Sequence, residues 1–131
     1  MAKIPLIIEK SDNGFLGRIT YEDDLIIAEE QSLPAIENKL KNLLKQFHGI
    51  ETESVKFQEK YDLSALFQKF DYLKISTVAK IAGINDSLLR QYVTGNKHAS
   101  ANQAKKIETV IRQIGKDLTQ VHVYSAAGAK I

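Results

Sequence analysis

Cysteine is absent from the 131-residue chain, and this absence excludes disulfide bonds and zinc sites built on thiolate ligands. Long apolar runs are absent as well. The longest run, residues 4–8, contains Pro5 and is far shorter than the roughly 20 residues that a transmembrane helix needs. The start of the chain also lacks the basic region, apolar stretch and small-residue cleavage site of a signal peptide. We therefore expect a cytoplasmic protein with no membrane partner.

The two halves of the chain carry opposite net charge, although the whole chain has a net charge of only +2. Residues 1–59 contain 7 Lys/Arg and 11 Asp/Glu, whereas residues 60–131 contain 11 Lys/Arg and 5 Asp/Glu. An asymmetry of this kind suggests two halves with different partners. The basic C-terminal half is compatible with a polyanion as its partner.

The N-terminal half begins with a strand pattern and continues as an amphipathic helix. Residues 4–9 and 15–20 have the composition and alternation of strands, and the Asn13-Gly14 pair between them is a strong hairpin signal. Residues 25–28 are compatible with a third strand. Ser32 is a suitable N-cap for a helix that ends near Gly49, and residues 51–59 are interpreted as a linker that has room for a short strand. The apolar stripe of this helix comprises Leu33, Ile36, Leu40, Leu43, Leu44 and Phe47.

The second half is predicted to be mostly helical. Two short helices are expected over residues 78–82 and 86–94, and Ser100 followed by Gln103 is a capping pattern that begins a longer helix. Residues 118–124 alternate and predict a C-terminal strand, which either returns to the N-terminal sheet or pairs with a second subunit. The fold class is therefore α+β, with a small antiparallel sheet and helix followed by a mostly helical region and a strand.

Residues 76–93 have the pattern of a helix-turn-helix. Ala79 supplies the small residue that two closely crossing helices require, and Gly83 tolerates the positive φ of a sharp turn. Asn85 is a suitable cap for the second helix. Ile84, Leu88, Leu89 and Tyr92 are placed to close a small core. The alternative interpretation is two packed helices of an ordinary bundle.

The polar residues of the second helix suit readout of the DNA major groove. Arg binds guanine through two hydrogen bonds, Gln binds adenine and Ser binds either base. After this helix, the basic loop and the N-terminus of the next helix can hold phosphates. The candidate DNA-binding residues are Thr77, Asp86, Ser87, Arg90, Gln91, Thr94, Lys97, His98 and Ser100.

The whole chain resembles the HicB-type antitoxins. Residues 72–118 are similar to the helix-turn-helix domain of that family and of phage-repressor-like regulators. This similarity is carried by Val78, Ala79, Lys80, Ala82, Gly83, Ile84, Leu88, Leu89, Arg90, Tyr92, Gly95, Lys97 and Ile107. Residues 4–47 resemble the family's partial RNase H-like domain through Ile7-Ile8-Glu9, Asp12-Asn13-Gly14-Phe15 and the amphipathic helix. The predicted domains are therefore a HicB-like domain over residues 1–58 and a helix-turn-helix domain with a tail over residues 59–131.

The resemblance implies a cytoplasmic dimer or tetramer with two tasks. The N-terminal domain would cover a small HicA-type toxin ribonuclease, and the C-terminal domain would bind an operator as a dimer and repress transcription of its own operon. The chain departs from the family at residues 21–25, which read Tyr-Glu-Asp-Asp-Leu where a Pro-Asp-Leu-Pro-Gly type turn is common. Two alternatives remain: an orphan repressor without a toxin, and a protein-interaction module whose helical half only oligomerises.

An enzymatic function is not expected. Carboxylates near strand ends could bind Mg²⁺ for hydrolysis in an RNase H-like fold, but solvated turn residues are the favoured interpretation, because the domain is too truncated for a complete cluster. These carboxylates belong to Glu9, Asp12, Asp23 and Asp24. The histidines, His48, His98 and His122, lack metal-ligand spacing and an evident nucleophile partner. We predict no catalytic residue, no metal and no cofactor.

Overall fold

An antiparallel meander of three strands begins the computed structural model, which describes residues 3–127. The strands are β1 (Ile4–Ser11), β2 (Gly14–Tyr21) and β3 (Asp24–Glu30), and helix α1 (Leu33–His48) follows them. A single 3₁₀ turn (Thr52–Ser54) leads to β4 (Phe57–Tyr61), which pairs with β1 in parallel. The sheet order is β3-β2-β1-β4. The three predicted strands and the helix are confirmed, but the sheet is mixed rather than antiparallel.

Two tight turns join the first three strands. Asp12 and Asn13 form the first turn, and Gly14 begins β2 with φ 138°. A Cβ atom at Gly14 would lie 2.6 Å from the Glu30 carbonyl oxygen, so this position needs glycine because the backbones approach closely. In the second turn Glu22 and Asp23 both have positive φ, at 49° and 66°, which is the conformation of a type I′ hairpin.

Helix α1 packs across the inner face of the sheet. Ser32 caps it, because its Oγ accepts a hydrogen bond from the Ala35 amide at 3.3 Å, and Gly49 ends it in the left-handed conformation. The helix comes so close to β2 that a Cβ atom at Gly17 would lie 2.5 Å from a methyl carbon of Ile36. Most of the predicted stripe is buried or partly buried, but Phe47 is exposed near the end of the helix.

The remaining helices are α2 (Leu63–Lys69), α3 (Ile75–Ala82), α4 (Asp86–Thr94) and α5 (Ala101–Leu118). The described residues therefore form an α+β fold with four strands and five α-helices. None of the helices in residues 3–127 has both the length and the apolar character needed to cross a membrane.

The chain divides into two compact units. The first unit contains the described residues up to Asp71 together with residues 93–95, and the second contains residues 72–92 and the described residues from Asn96 onward. The predicted division between residues 58 and 59 falls within β4. Because β4 pairs with β1 and α2 contacts β1, both elements belong to the first unit.

The predicted C-terminal strand over residues 118–124 is not present. Helix α5 continues to Leu118, and residues 121–125 have no regular secondary structure. A strand exists only when its backbone groups pair with a neighbouring strand, and the residues that the structure describes offer this segment no such neighbour.

We expect Gly17→Ala to lower the free energy of unfolding by about 1–3 kcal/mol, because the added methyl group overpacks the contact with Ile36. Urea denaturation followed by circular dichroism measures this change. Gly115→Ala is the matched control: no atom lies within 4 Å of its Cβ position in α5, so alanine should raise stability by about 0.5–1 kcal/mol. Equal effects of the two substitutions would contradict the close approach of α1 to β2.

Candidate nucleic-acid interface

A tight turn joins α3 to α4. Gly83 adopts the left-handed conformation, with φ 71° and ψ 31°. The Ile84 amide donates to the Ala79 carbonyl at 2.9 Å, and the Gly83 amide donates to the Lys80 carbonyl at 3.3 Å. These two bonds are those of a Schellman motif, which pairs the last carbonyls of a helix and redirects the chain. The predicted need for glycine at this position is confirmed by its positive φ.

Helix α4 begins directly after this turn. The Asn85 side-chain oxygen accepts hydrogen bonds from the Ser87 amide at 2.9 Å and the Leu88 amide at 3.3 Å. Asn85 therefore caps α4 as predicted, because it pairs amides that a helix start leaves unpartnered. Only Gly83, Ile84 and Asn85 separate the two helices, so the direction of α4 is set by the geometry of the turn.

A small apolar core holds the second unit together. Ala79 is buried, which allows close packing at that point of α3. Three of the four residues predicted to close the core are buried, namely Ile84, Leu89 and Tyr92, and Leu88 is partly buried. The other buried members of this core are Val78, Ile107 and Val110. Leu89 and Tyr92 occupy the buried side of α4, which leaves Asp86, Ser87, Arg90 and Thr94 on the exposed side.

The exposed side of α4 carries four of the candidate residues: Asp86, Ser87, Arg90 and Thr94. The Arg90 Nε atom lies 3.4 Å from an Asp86 carboxylate oxygen, and both side chains are about half exposed. Gln91 differs from the expectation that it points outward. It is partly buried, and its Oε1 atom is inaccessible to solvent. Arg90 is therefore the better placed of the two predicted base readers.

The segment after α4 exposes the predicted phosphate-binding groups. Lys97 and His98 are both exposed, and the Lys97 amide donates to the Gln91 carbonyl at 3.2 Å. Ser100 caps α5 by accepting a hydrogen bond from the Gln103 amide at 3.2 Å. Its hydroxyl is thus engaged in the helix start, and the amides of the first turn are the groups that an anion would meet. Thr77, the remaining candidate, is exposed on α3.

The charge asymmetry follows the two compact units. Over the described residues, the first unit contains 9 Lys/Arg and 13 Asp/Glu, a net charge of −4. The second unit contains 8 Lys/Arg and 3 Asp/Glu, a net charge of +5. The unit that contains residues 86–92 of α4 is therefore the one whose field attracts a polyanion.

Of the four carboxylates considered for metal binding, two pair with other side chains and two are exposed in turns. Glu9 pairs with Arg18 at 3.0 Å across β1 and β2, and Asp24 contacts the His48 ring at 2.9 Å. Asp12 and Asp23 are exposed turn residues. Between residues 3 and 127, no group of three or more His, Asp or Glu side chains is arranged to hold a metal ion.

Sequence reasoning missed a groove of about 460 Å³ in the first unit, lined by both polar and apolar side chains. Glu37 of α1 and Glu59 of β4 meet there, and the Tyr61 hydroxyl donates to Glu59 at 3.0 Å. Burial raises the pKa of Glu37 to about 7, with a further contribution from the hydrogen bond and charge of Glu59. Burial and Glu59 also raise the pKa of Tyr61. No sequence signal marks this contact, since 21 residues separate the two carboxylates along the chain.

The chain matches no protein-family model, no curated protein and no solved structure.

The raised pKa of Glu37 predicts a pH-dependent contribution to stability. The folded state retains the proton up to a pH of about 7, whereas the unfolded state releases it near 4.5. The contribution of Glu37 to the free energy of unfolding therefore falls as the pH rises from 4.5 to 7, and stays at the lower level above that range. We expect Glu37→Gln to be more stable relative to wild type at pH 8 than at pH 5, by urea denaturation at both pH values.

Glu53→Gln is the control for this measurement, because it removes the same charge at an exposed position in the 3₁₀ turn. Its stability relative to wild type should change little between the two pH values. If Glu37→Gln and Glu53→Gln behaved alike, the proton would not be held at the Glu37–Glu59 contact.

Proposed function

We propose that the chain is a DNA-binding transcriptional regulator of the HicB antitoxin type, with α3 and α4 as its helix-turn-helix. One observation carries the proposal: α4 exposes Asp86, Ser87 and Arg90 directly after a tight turn, in the unit of net charge +5. The N-terminal residues of a recognition helix make most base contacts in this class of protein. A cytoplasmic protein without enzymatic activity is part of the proposal.

Arg90 is the principal base reader in this mechanism. Its guanidinium can donate two parallel hydrogen bonds to O6 and N7 of guanine. The pair with Asp86 does not prevent this, because an exposed ion pair contributes little free energy and exchanges readily for another partner. Ser87 lies one turn earlier on the exposed side and can bond to either base type. Gln91 would need to rotate before it could reach adenine.

The loop and α5 supply contacts to the backbone of the DNA. Lys97 and His98 are exposed, and the amides of the first turn of α5 point toward the start of that helix. A helix N-terminus binds phosphate through these amides and through its dipole. Such contacts fix the position of the protein on the duplex without reading the sequence.

The proposed assembly is a two-fold dimer. Two copies related by such an axis would place their recognition helices about 34 Å apart, on the same side of the duplex, and read an inverted repeat. The acidic first unit would then hold a basic protein partner, for which a HicA-type toxin is the candidate that the family resemblance implies. The alternatives are an orphan repressor and a module whose helical half only oligomerises. The exposed polar side of α4 favours DNA binding over the second alternative, because Ser87 and Arg90 can hydrogen-bond to base edges.

Arg90→Ala should weaken binding mainly to the specific sequence. We expect a loss of about 1–3 kcal/mol on a duplex from the region upstream of the chain's own reading frame, and little change on a scrambled duplex. Fluorescence anisotropy on both duplexes measures the ratio of the two binding affinities. An unchanged ratio would remove Arg90 from the base-reading role.

Lys97→Ala should weaken binding to both duplexes alike, because a phosphate contact carries no sequence information. The slope of log affinity against log salt concentration should decrease by about 1. Lys56→Ala, an exposed lysine of the first unit, is the control and should leave both affinity and slope unchanged. If Lys97→Ala retained the wild-type affinity and the wild-type salt slope, a phosphate contact at this position would be excluded.

A further inference from the structure

The carbonyl groups in the last turn of α4 need hydrogen-bond donors from outside the helix. The last four carbonyls of any helix find no amide within it, and in α4 these belong to residues 91–94. In a longer helix the Lys97 amide would donate to the Val93 carbonyl, four residues earlier. The Lys97 amide donates to the Gln91 carbonyl at 3.2 Å instead. The Val93 carbonyl therefore depends on a donor from another part of the chain.

Ser64, in the first turn of α2, supplies this donor. Its hydroxyl donates a hydrogen bond to the Val93 carbonyl, and both residues are partly buried members of the first compact unit. A serine at the start of a helix often caps that helix. In α2 the cap is Asp62, whose carboxylate accepts a hydrogen bond from the Ala65 amide at 2.8 Å. The Ser64 hydroxyl is thus directed to the end of α4 rather than to its own helix.

Helix α2 is itself attached to the sheet near both of its ends. The Asp62 amide donates to the Ile8 carbonyl of β1 at 2.9 Å, and the Gln68 side chain donates to the Gly14 carbonyl of β2 at 3.3 Å. Because these two bonds lie on either side of Ser64 along the chain, its hydroxyl is held at a fixed position in the first unit.

The turn that receives this bond determines where the basic loop begins. Gly95 follows α4 directly in the left-handed conformation, with φ 84°, and the exposed Lys97 and His98 come next. The Lys97 backbone is bonded to the last turn through the Gln91 carbonyl. Helix ends fray readily, so a last turn that opened would release the backbone of this loop as well.

We propose that Ser64 is a positioning residue for DNA binding. Its hydrogen bond keeps the last turn of α4 closed, and the closed turn holds Lys97 where it contacts phosphate. Ser64 lies outside the helix-turn-helix and reads no base, so it controls the affinity for DNA without controlling the sequence preference. This role rests on the proposed function.

Amide hydrogen exchange, measured by NMR without DNA, tests the hydrogen bond. In Ser64→Ala the Lys97 amide should exchange about 2- to 10-fold faster than in wild type, because the last turn of α4 opens more often. The Leu89 amide, nearer the start of α4, should exchange at the wild-type rate. Ser54→Ala is the matched control: it also removes a hydroxyl that donates to a backbone carbonyl, that of Glu51 at 2.8 Å, and should not affect Lys97.

Anisotropy titrations on the two duplexes used for Arg90→Ala test the positioning role. Ser64→Ala should lower the affinity for both duplexes by about 2- to 10-fold and leave the ratio of the two affinities unchanged. In a Lys97→Ala background the same substitution should lower the affinity by less than about 2-fold, because the contact that Ser64 positions is already lost. Ser64→Thr, which keeps the hydroxyl, should bind like wild type, and so should Ser54→Ala.

A wild-type exchange rate for the Lys97 amide in Ser64→Ala would overturn the inference. So would equal losses of affinity for Ser64→Ala in the wild-type and Lys97→Ala backgrounds, since Ser64 would then act on DNA binding by another route. A wild-type protein that bound neither duplex would contradict the proposed function, and the role in DNA binding would fall with it. The exchange measurement would still show whether Ser64 holds the last turn of α4 closed.

Discussion

The hydrogen bond from the Ile84 amide to the Ala79 carbonyl, 2.9 Å long, closes the turn between α3 and α4. It forms because Gly83 accepts a φ of 71°, which costs a residue with a Cβ atom roughly 1–2 kcal/mol. The short turn leaves α4 little freedom of direction, and Leu89 and Tyr92 anchor one side of it in the core. The polar side thereby faces solvent on a regular helix, which suits the proposed recognition of a base sequence.

The two units differ in the sign of their net charge. The first unit, with a net charge of −4, would repel a DNA backbone, and the second, with a net charge of +5, would attract it. An acidic sheet-and-helix unit attached to a basic helical unit suits a regulator in which one part binds a basic protein and the other binds an operator.

Signals between residues that are close in the sequence predict much of this fold. The cap at Ser32, the stop at Gly83 and the cap at Asn85 each act within a few residues, so the sequence predicts them correctly. Features that depend on contacts between residues far apart in the sequence were not predicted, or were predicted wrongly. The parallel pairing of β4 with β1 joins segments about 50 residues apart, and the contact between Glu37 and Glu59 depends on that pairing. The partial burial of Gln91 likewise depends on its neighbours in space, and the tail strand lacks the partner that would form it.

The most direct test of DNA recognition by α4 is selection of bound duplexes from a random pool, followed by sequencing. We expect an inverted repeat whose half-sites lie about 10 base pairs apart, or a multiple of that distance, centre to centre. A pool selected with Arg90→Ala should lose one guanine position in each half-site. Recovery of no enriched sequence by the wild-type protein would contradict the assignment of α3 and α4 as a helix-turn-helix that reads an operator.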